Sequence, residues 1–501
     1  MIKSYNYLLF LYKTVKVFLC FNMHHQNRFW EIHMMYGAFI LRFILVVGVC
    51  GALLADEQGA ATLRRARACP EWLMQSTIYQ IWPRGFTPEG TLAAATKKLP
   101  HVADLGISII YMSPIFLQDD DRRPEFWSDR QKASQLNNPR NPYRIKDYFK
   151  IDPEYGTDAD FKAFVDEAHR LNMRVILDLV YLHCGPTAVA VTNGLDWVER
   201  DAQGVPVPAS WHFPKLNFKS ASLREHLFTN MTYWVQQFNV DGYRCDVAPG
   251  VPLDFWEESR RRLEKIRPDI IMLSEGERAA DQCFAFDLNY NFTWLRTLHQ
   301  IFEKGTSAEA MQALWRKQRA DFPAGARFIR YTENHDIVHD ELRAEIVFGE
   351  RGAAAMMVFC FTIDGVPMLY NGQEFGDCSP QSIYAQWPIR WEIRPLKKAQ
   401  KKGAFYTRLC QLRKEEPALA TGTVTWLTTD QPDAVLAYAR EGQASTLVTL
   451  ISLSNRKTAV TVDYDRVGDL LLCDGAVLKL REGKVHAECA PFGYCVMKVK
   501  K

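Results

Sequence analysis

The stretch Asn239–Gly250, NVDGYRCDVAPG, reads as a short buried strand over 242–247 that carries Arg244 and Asp246 two positions apart. Residues i and i+2 of a strand face the same way, so the guanidinium and the carboxylate share one face while Tyr243 and Cys245 take the other. Charge on one face of an otherwise apolar strand fits the C-terminal end of a strand in a closed parallel barrel, where that face is the floor of an active site. There an arginine beside an aspartate lowers its pKa and fixes its orientation, which suits a carboxylate that must stay ionised to act as a nucleophile. Taken alone, the same pattern also fits a buried ion pair that only holds a barrel together.

Outward from this strand, seven other short apolar runs have the same texture: TIYQIW (77–82), ISIIYMS (107–113), RVILDLV (174–180), IIMLSE (270–275), FAFDLN (284–289), ARFIRYT (326–332) and GVPMLYN (365–371). Amphipathic segments such as DADFKAFVDEAHRLN separate most of them, and strands alternating with helices imply a parallel sheet. Eight such units predict a (β/α)8 barrel over 70–420, with an insertion over about 184–220 after the third strand. Residues 276–283 are too short for a full crossover helix, and this is where the pattern is weakest. Beyond 420 the texture becomes alternating strands with Gly, Asp and Asn turns, which predicts a C-terminal antiparallel β-domain, a sandwich over 421–501.

The 501 residues are 48% hydrophobic and 12% aromatic, enough for a large core. Sixty-one basic residues against 58 acidic ones, with no run of one sign, argue against a nucleic-acid partner. Twelve cysteines include no CxxC pair, which disfavours a structural zinc. Within 1–55, the segment MYGAFILRFILVVGVCGALLADEQ from Met35 has Arg42, an apolar run over 43–55 and a small-residue end, the pattern of a secretory signal peptide. The run is shorter than a membrane-spanning helix needs, so the expectation is a secreted or periplasmic protein with no stable membrane span.

Other strand ends bring further ionisable groups to the same rim. DLVYLHC carries Asp178 and His183, LSEGE carries Glu275, and YTENHD carries His335 and Asp336. Crowded carboxylates raise the pKa of at least one member, and one protonated carboxyl beside an ionised one is what glycoside hydrolysis requires. From Trp72 onward the ordered set IYQIWPRGF, NPYRIKDYFKIDPEYGT, DLVYLH, FPKLNF, GYRCDVA, LSEGE, YTENHD and GVPMLYNGQEFG resembles the α-amylase superfamily of glycoside hydrolases. The resemblance implies that Asp246 is the nucleophile, Glu275 the general acid/base and Asp336 the third carboxylate. It implies that Arg244 orients Asp246 and Asp178 supports Arg244. It further implies that His183 and His335 bind sugar hydroxyls and that Tyr143 forms the stacking platform.

Three departures qualify the resemblance. Leu182 stands where the family usually has an asparagine that helps to bind calcium, so no cofactor and no metal site is expected. Arg144 follows Tyr143 where an aspartate is usual. Glu277 shares strand parity with Glu275 and is the reserve acid. The motif FPKLN (213–217) is similar to that of the neopullulanase and cyclomaltodextrinase branch, which implies an α-glucan or oligosaccharide substrate. A transglycosylase or disaccharide isomerase of the same fold is an alternative. A non-catalytic, membrane-anchored ancillary protein is a second one, disfavoured by the presence of all three carboxylates.

Overall fold

The computed structural model describes residues 65–136, 140–209 and 211–500; the leader expected over 35–55 lies outside them. No helix among the described residues is long and apolar enough to cross a membrane.

The eight barrel strands are β1 (Ile78–Ile81), β2 (Ile109–Met112), β5 (Arg174–Leu179), β6 (Gly242–Cys245), β7 (Ile271–Ser274), β8 (Leu288–Asn289), β9 (Ile329–Arg330) and β10 (Val366–Tyr370). Between β2 and β5 the chain forms a hairpin of β3 (Phe116–Gln118) and β4 (Ile145–Ile151). The barrel strands pair in parallel in the order β8-β7-β6-β5-β2-β1-β10-β9, and one parallel bridge, Asn289 to Phe328, joins the two ends into a ring.

Period-2 alternation decides which residues fill the ring. Ile78, Ile109, Tyr111, Ile176, Leu273, Ile329, Val366 and Met368 form one buried cluster in its interior. Their neighbours Tyr79, Ile110, Val175, Leu177, Tyr243 and Met272 belong to a second cluster under the surrounding helices. The helix Asp158–Arg170 shows how that outer layer attaches. Thr157 and Asp160 form a reciprocal capping box, and Phe161, Phe164, Val165 and Ala168 make its buried stripe. Gly242 opens β6 because a Cβ there would stand 2.1 Å from the Ile271 carbonyl oxygen.

The short crossover is real: only the helix Asp281–Phe284 lies between β7 and β8. Two expected strands shrink to two residues each. At β8 the Asp287 carboxylate accepts the Met272 N–H at 2.8 Å, taking a donor that a longer ladder would use. At β9 only two register pairs join it to β10, Ile329 with Val366 and Arg330 with Pro367.

The strands of the C-terminal region are joined by hydrogen bonds into one connected antiparallel network. It comprises β11 (Thr423–Trp426), β12 (Val435–Glu441), β13 (Ser445–Ser452), β14 (Thr458–Val462), β15 (Asp469–Arg481) and β16 (Lys484–Lys500). The long β16 pairs with β13, β14 and β15 in turn, which lets a single sheet enclose its own core of Val435, Val448, Val460, Val485 and Met497. It docks on the barrel where Arg440 donates to the Thr362 carbonyl at 3.0 Å and the Tyr438 hydroxyl meets that of Thr362 at 2.6 Å.

Candidate active site

The interior face of β6 delivers Arg244 to the heart of the ring, fully buried. Its Nη1 donates to Asp178 Oδ1 at 2.6 Å and to Asp246 Oδ1 at 2.8 Å. Its Nη2 stands 2.5 Å from Glu275 Oε1, a close ionic contact with a poor hydrogen-bond angle. Asp178, from β5, also accepts the Tyr111 hydroxyl at 2.6 Å and that of Tyr143 at 3.1 Å, so it is satisfied as a support and not free to react.

Glu275 follows β7 directly, and its second oxygen accepts the Val247 N–H at 2.8 Å. That N–H points there because Val247 adopts a left-handed backbone, φ 41 and ψ 45. For a β-branched residue this conformation costs roughly 1–3 kcal/mol, strain of the kind held at functional sites. Glu277, the reserve acid, is used elsewhere: its two oxygens accept the Thr293 N–H at 2.9 Å and the Thr293 hydroxyl at 2.7 Å, at the start of the helix Phe292–Lys304.

Across the pocket, His335 and Asp336 open the helix His335–Asp340 after β9. His335 Nδ1 faces the Gln80 amide nitrogen at 2.7 Å, and its Nε2 lies 2.6 Å from the Tyr143 hydroxyl. The rings of Trp82, His335 and Tyr143 are near-parallel, with centroids 5.3 Å apart for Trp82 and His335 and 5.5 Å for Tyr143 and His335. His183 lines the same pocket, boxed by Phe213 and Trp211, with its Nδ1 unpartnered. Burial lowers both imidazoles, to about 3 for His183 and about 4 for His335, so each is neutral at physiological pH and can exchange hydrogen bonds with hydroxyls.

The carboxyls divide by environment. Burial pushes Asp246 well up and the charge of Glu275 adds to the rise; Arg244 opposes it but does not win, contrary to the expectation that the arginine would hold this carboxyl down. Burial raises Glu275 too; Arg244 and the Val247 N–H pull it down and Asp336 pushes it up. Burial would also raise Asp336, but His335, the charge and hydrogen bond of Arg130, and Arg244 outweigh it and hold this carboxyl well below the usual range. Two buried carboxyls whose ionisation is opposed, facing a carboxylate held ionised, can supply both an acid and a nucleophile.

Residues 56–200 and 209–402 match the α-amylase catalytic domain. The chain belongs to the α-amylase family. It is a glycoside hydrolase fold with a glycoside hydrolase's relatives. An α-amylase of Haloarcula japonica is 28% identical over 417 residues, which are 79% of this chain, and the chain spans 58% of that protein's length. A cyclomaltodextrinase of a Bacillus species is 28% identical over 446 residues, 78% of this chain and 75% of that one. Among solved structures, an α-amylase from Lactobacillus plantarum superposes with a TM-score of 0.73 at 27% identity, over 86% of this chain and all of that one.

Against the family pattern, Arg144 leaves the pocket altogether. It is buried, donates to the Asp121 carbonyl at 3.0 Å and stands 3.6 Å from Asp119, so it secures the start of the loop before β4. Leu182 packs on Gly250, its Cδ1 3.0 Å from where a Cβ there would lie. That position presents carbon where an oxygen would be needed to hold calcium. The residue that sequence reading did not single out is Arg130, whose Nη1 donates to Asp336 Oδ1 at 2.8 Å. It lies in a five-residue helix, Asp129–Ala133, too short to show periodicity and outside every family motif, so no signal in the chain marked it.

Proposed function

We propose that this protein hydrolyses α-glucosidic bonds in maltooligosaccharides or starch-like α-glucans by double displacement, with retention of configuration. The observation that carries this reading is that one guanidinium touches both Asp246 and Glu275. Two carboxyls held by one cation are near neighbours. A retaining enzyme keeps its pair about 5–5.5 Å apart, whereas an inverting one needs roughly 6.5–9.5 Å to admit water.

In this reading the sugar at the cleavage point lies on Tyr143, with its hydroxyls on His183, His335 and Asp336. Glu275 gives its proton to the leaving glycosidic oxygen as Asp246 Oδ attacks the anomeric carbon, forming a glycosyl ester. Glu275, now a carboxylate, takes a proton from water; the hydroxide oxygen bonds to the anomeric carbon and Asp246 leaves as a carboxylate. We likewise propose export, on the leader pattern read over 35–55.

The test is a panel of maltoheptaose, starch, pullulan, trehalose and sucrose with product separation, joined to proton NMR of the anomeric signals in the first minutes. α-Linked substrate should release α product first. β product appearing first would overturn the roles of Asp246 and Glu275, and inertness toward every α-glucan would overturn the hydrolase reading.

A further inference from the structure

Three cysteines far apart from the pocket residues in function gather in the C-terminal sheet. Cys473 of β15 stands directly opposite Cys495 of β16 in the antiparallel register, and Cys489 of β16 is opposite Ala476. All three are free thiols. Cys473 is exposed and donates its S–H to the Ala476 carbonyl at 3.2 Å, whereas Cys489 and Cys495 are buried. Directly opposed residues of an antiparallel pair have Cα atoms about 4.5–5.5 Å apart, inside the range of about 4.4–6.8 Å that a disulfide bridges. The side chains of such a pair also lie on the same face of the sheet. Burial pushes the Cys495 thiol up, and the charge and hydrogen bond of Cys473 add to the rise, as contact between the two sulfurs requires.

The pair sits where the ladder is interrupted and where the sheet meets the barrel. Between the register pairs Asp474–Tyr494 and Ala476–Cys489, β16 carries the extra residues 490–493, which loop out. That loop is the docking point: Arg351 donates from Nε to the Pro491 carbonyl at 3.0 Å and places Nη2 3.3 Å from Asp474, and Phe492 stacks on Phe302 of the helix Phe292–Lys304 with centroids 5.4 Å apart. A covalent tie between Cys473 and Cys495 would therefore fix β15 to β16 beside the break and hold Asp474 against Arg351.

We propose that Cys473 and Cys495 are a redox modification site, oxidised by a small-molecule disulfide to a cross-strand bond that staples the C-terminal sheet at its dock on the barrel. Exposed Cys473 reacts first: its thiolate attacks one sulfur of glutathione disulfide, forming a mixed disulfide and releasing one glutathione thiolate. Cys495 then loses its proton and attacks the Cys473 sulfur, releasing the second glutathione. The two protein thiols give up two electrons, the glutathione disulfide takes them, and the two protons leave with the glutathione. The inference does not depend on the hydrolase reading, and the export proposed above would put the pair where such bonds persist.

The experiment equilibrates the purified protein with mixtures of reduced and oxidised glutathione, blocks remaining thiols with N-ethylmaleimide, and identifies linked peptides by digestion and mass spectrometry. The wild type should yield a Cys473–Cys495 link. Cys489→Ser should keep it, and Cys495→Ser should stop at a glutathione adduct on Cys473, because the resolving thiol is gone. A bond that stabilises the fold is stabilised by it, so the native protein should hold the link against reduced glutathione at least about tenfold better than protein unfolded in guanidinium chloride. A wild type in which Cys473 stays reduced, stops at the glutathione adduct or links to Cys489 would overturn the pairing, with no variant needed. Equal resistance to reduction in native and unfolded protein would overturn the staple.

Discussion

Arg244 is one cation facing three carboxylates, Asp178, Asp246 and Glu275, and this imbalance sets what a substitution at the centre does. Asp246→Asn keeps the shape and the contact with Arg244 but removes the attacking charge. Activity should fall by about 10⁴ or more, as for other catalytic groups that act as a unit. The same change relieves crowding, because burial and the neighbouring Glu275 both oppose a charge at Asp246. The variant's melting temperature should therefore equal or exceed the wild type's; a folded variant retaining a tenth of the activity, roughly three decades more than nucleophile loss allows, would show that Asp246 is not the nucleophile. Arg244 and Asp246 were legible because strand parity puts both on one face without knowledge of the rest of the molecule. Parity did not separate Glu275 from Glu277, since β7 ends at Ser274 and the chain then turns, sending one side chain to Val247 and the other to Thr293. Arg130 was illegible for a different reason: its contact with Asp336 spans 206 positions and exists only once the barrel has brought two loops together.

At the level of the element, the eight strands were found by their apolar runs, and at β8 the length was misjudged where the Asp287 side chain intervenes in the ladder. The hairpin β3–β4 went unrecognised because Ile145–Ile151 is half-exposed and highly charged and reads as loop. The segment after β5 carries the clearest departure from the family, Leu182 against Gly250. Because that contact is apolar, ion binding there is not part of folding, and exhaustive EDTA treatment should leave both the melting temperature and the activity unchanged. A melting temperature that drops with EDTA and recovers with calcium would locate a cation on other oxygens and refute this account.

At the scale of the whole molecule, alternation predicted a closed ring and a separate antiparallel sheet, yet it could not say how evenly the ring is sewn. β5 and β6 are matched over four register pairs, Ile176–Leu179 against Gly242–Cys245, whereas β8 meets the β9 side through the single bridge Asn289–Phe328. Regions with fewer internal hydrogen bonds open at lower free energy. Native-state hydrogen exchange should therefore release the amides of Asn289, Ile329 and Arg330 before those of Ile176 and Leu177, and the reverse order would place the weak seam elsewhere. The segment that follows this seam carries His335 and Asp336, while Asp178 and Asp246 ride on the tightly laddered side. In the proposed mechanism the attacking carboxyl would thus sit on an anvil of tightly laddered strands, while the hand that grips the sugar would hang from the thinly sewn arc of the ring.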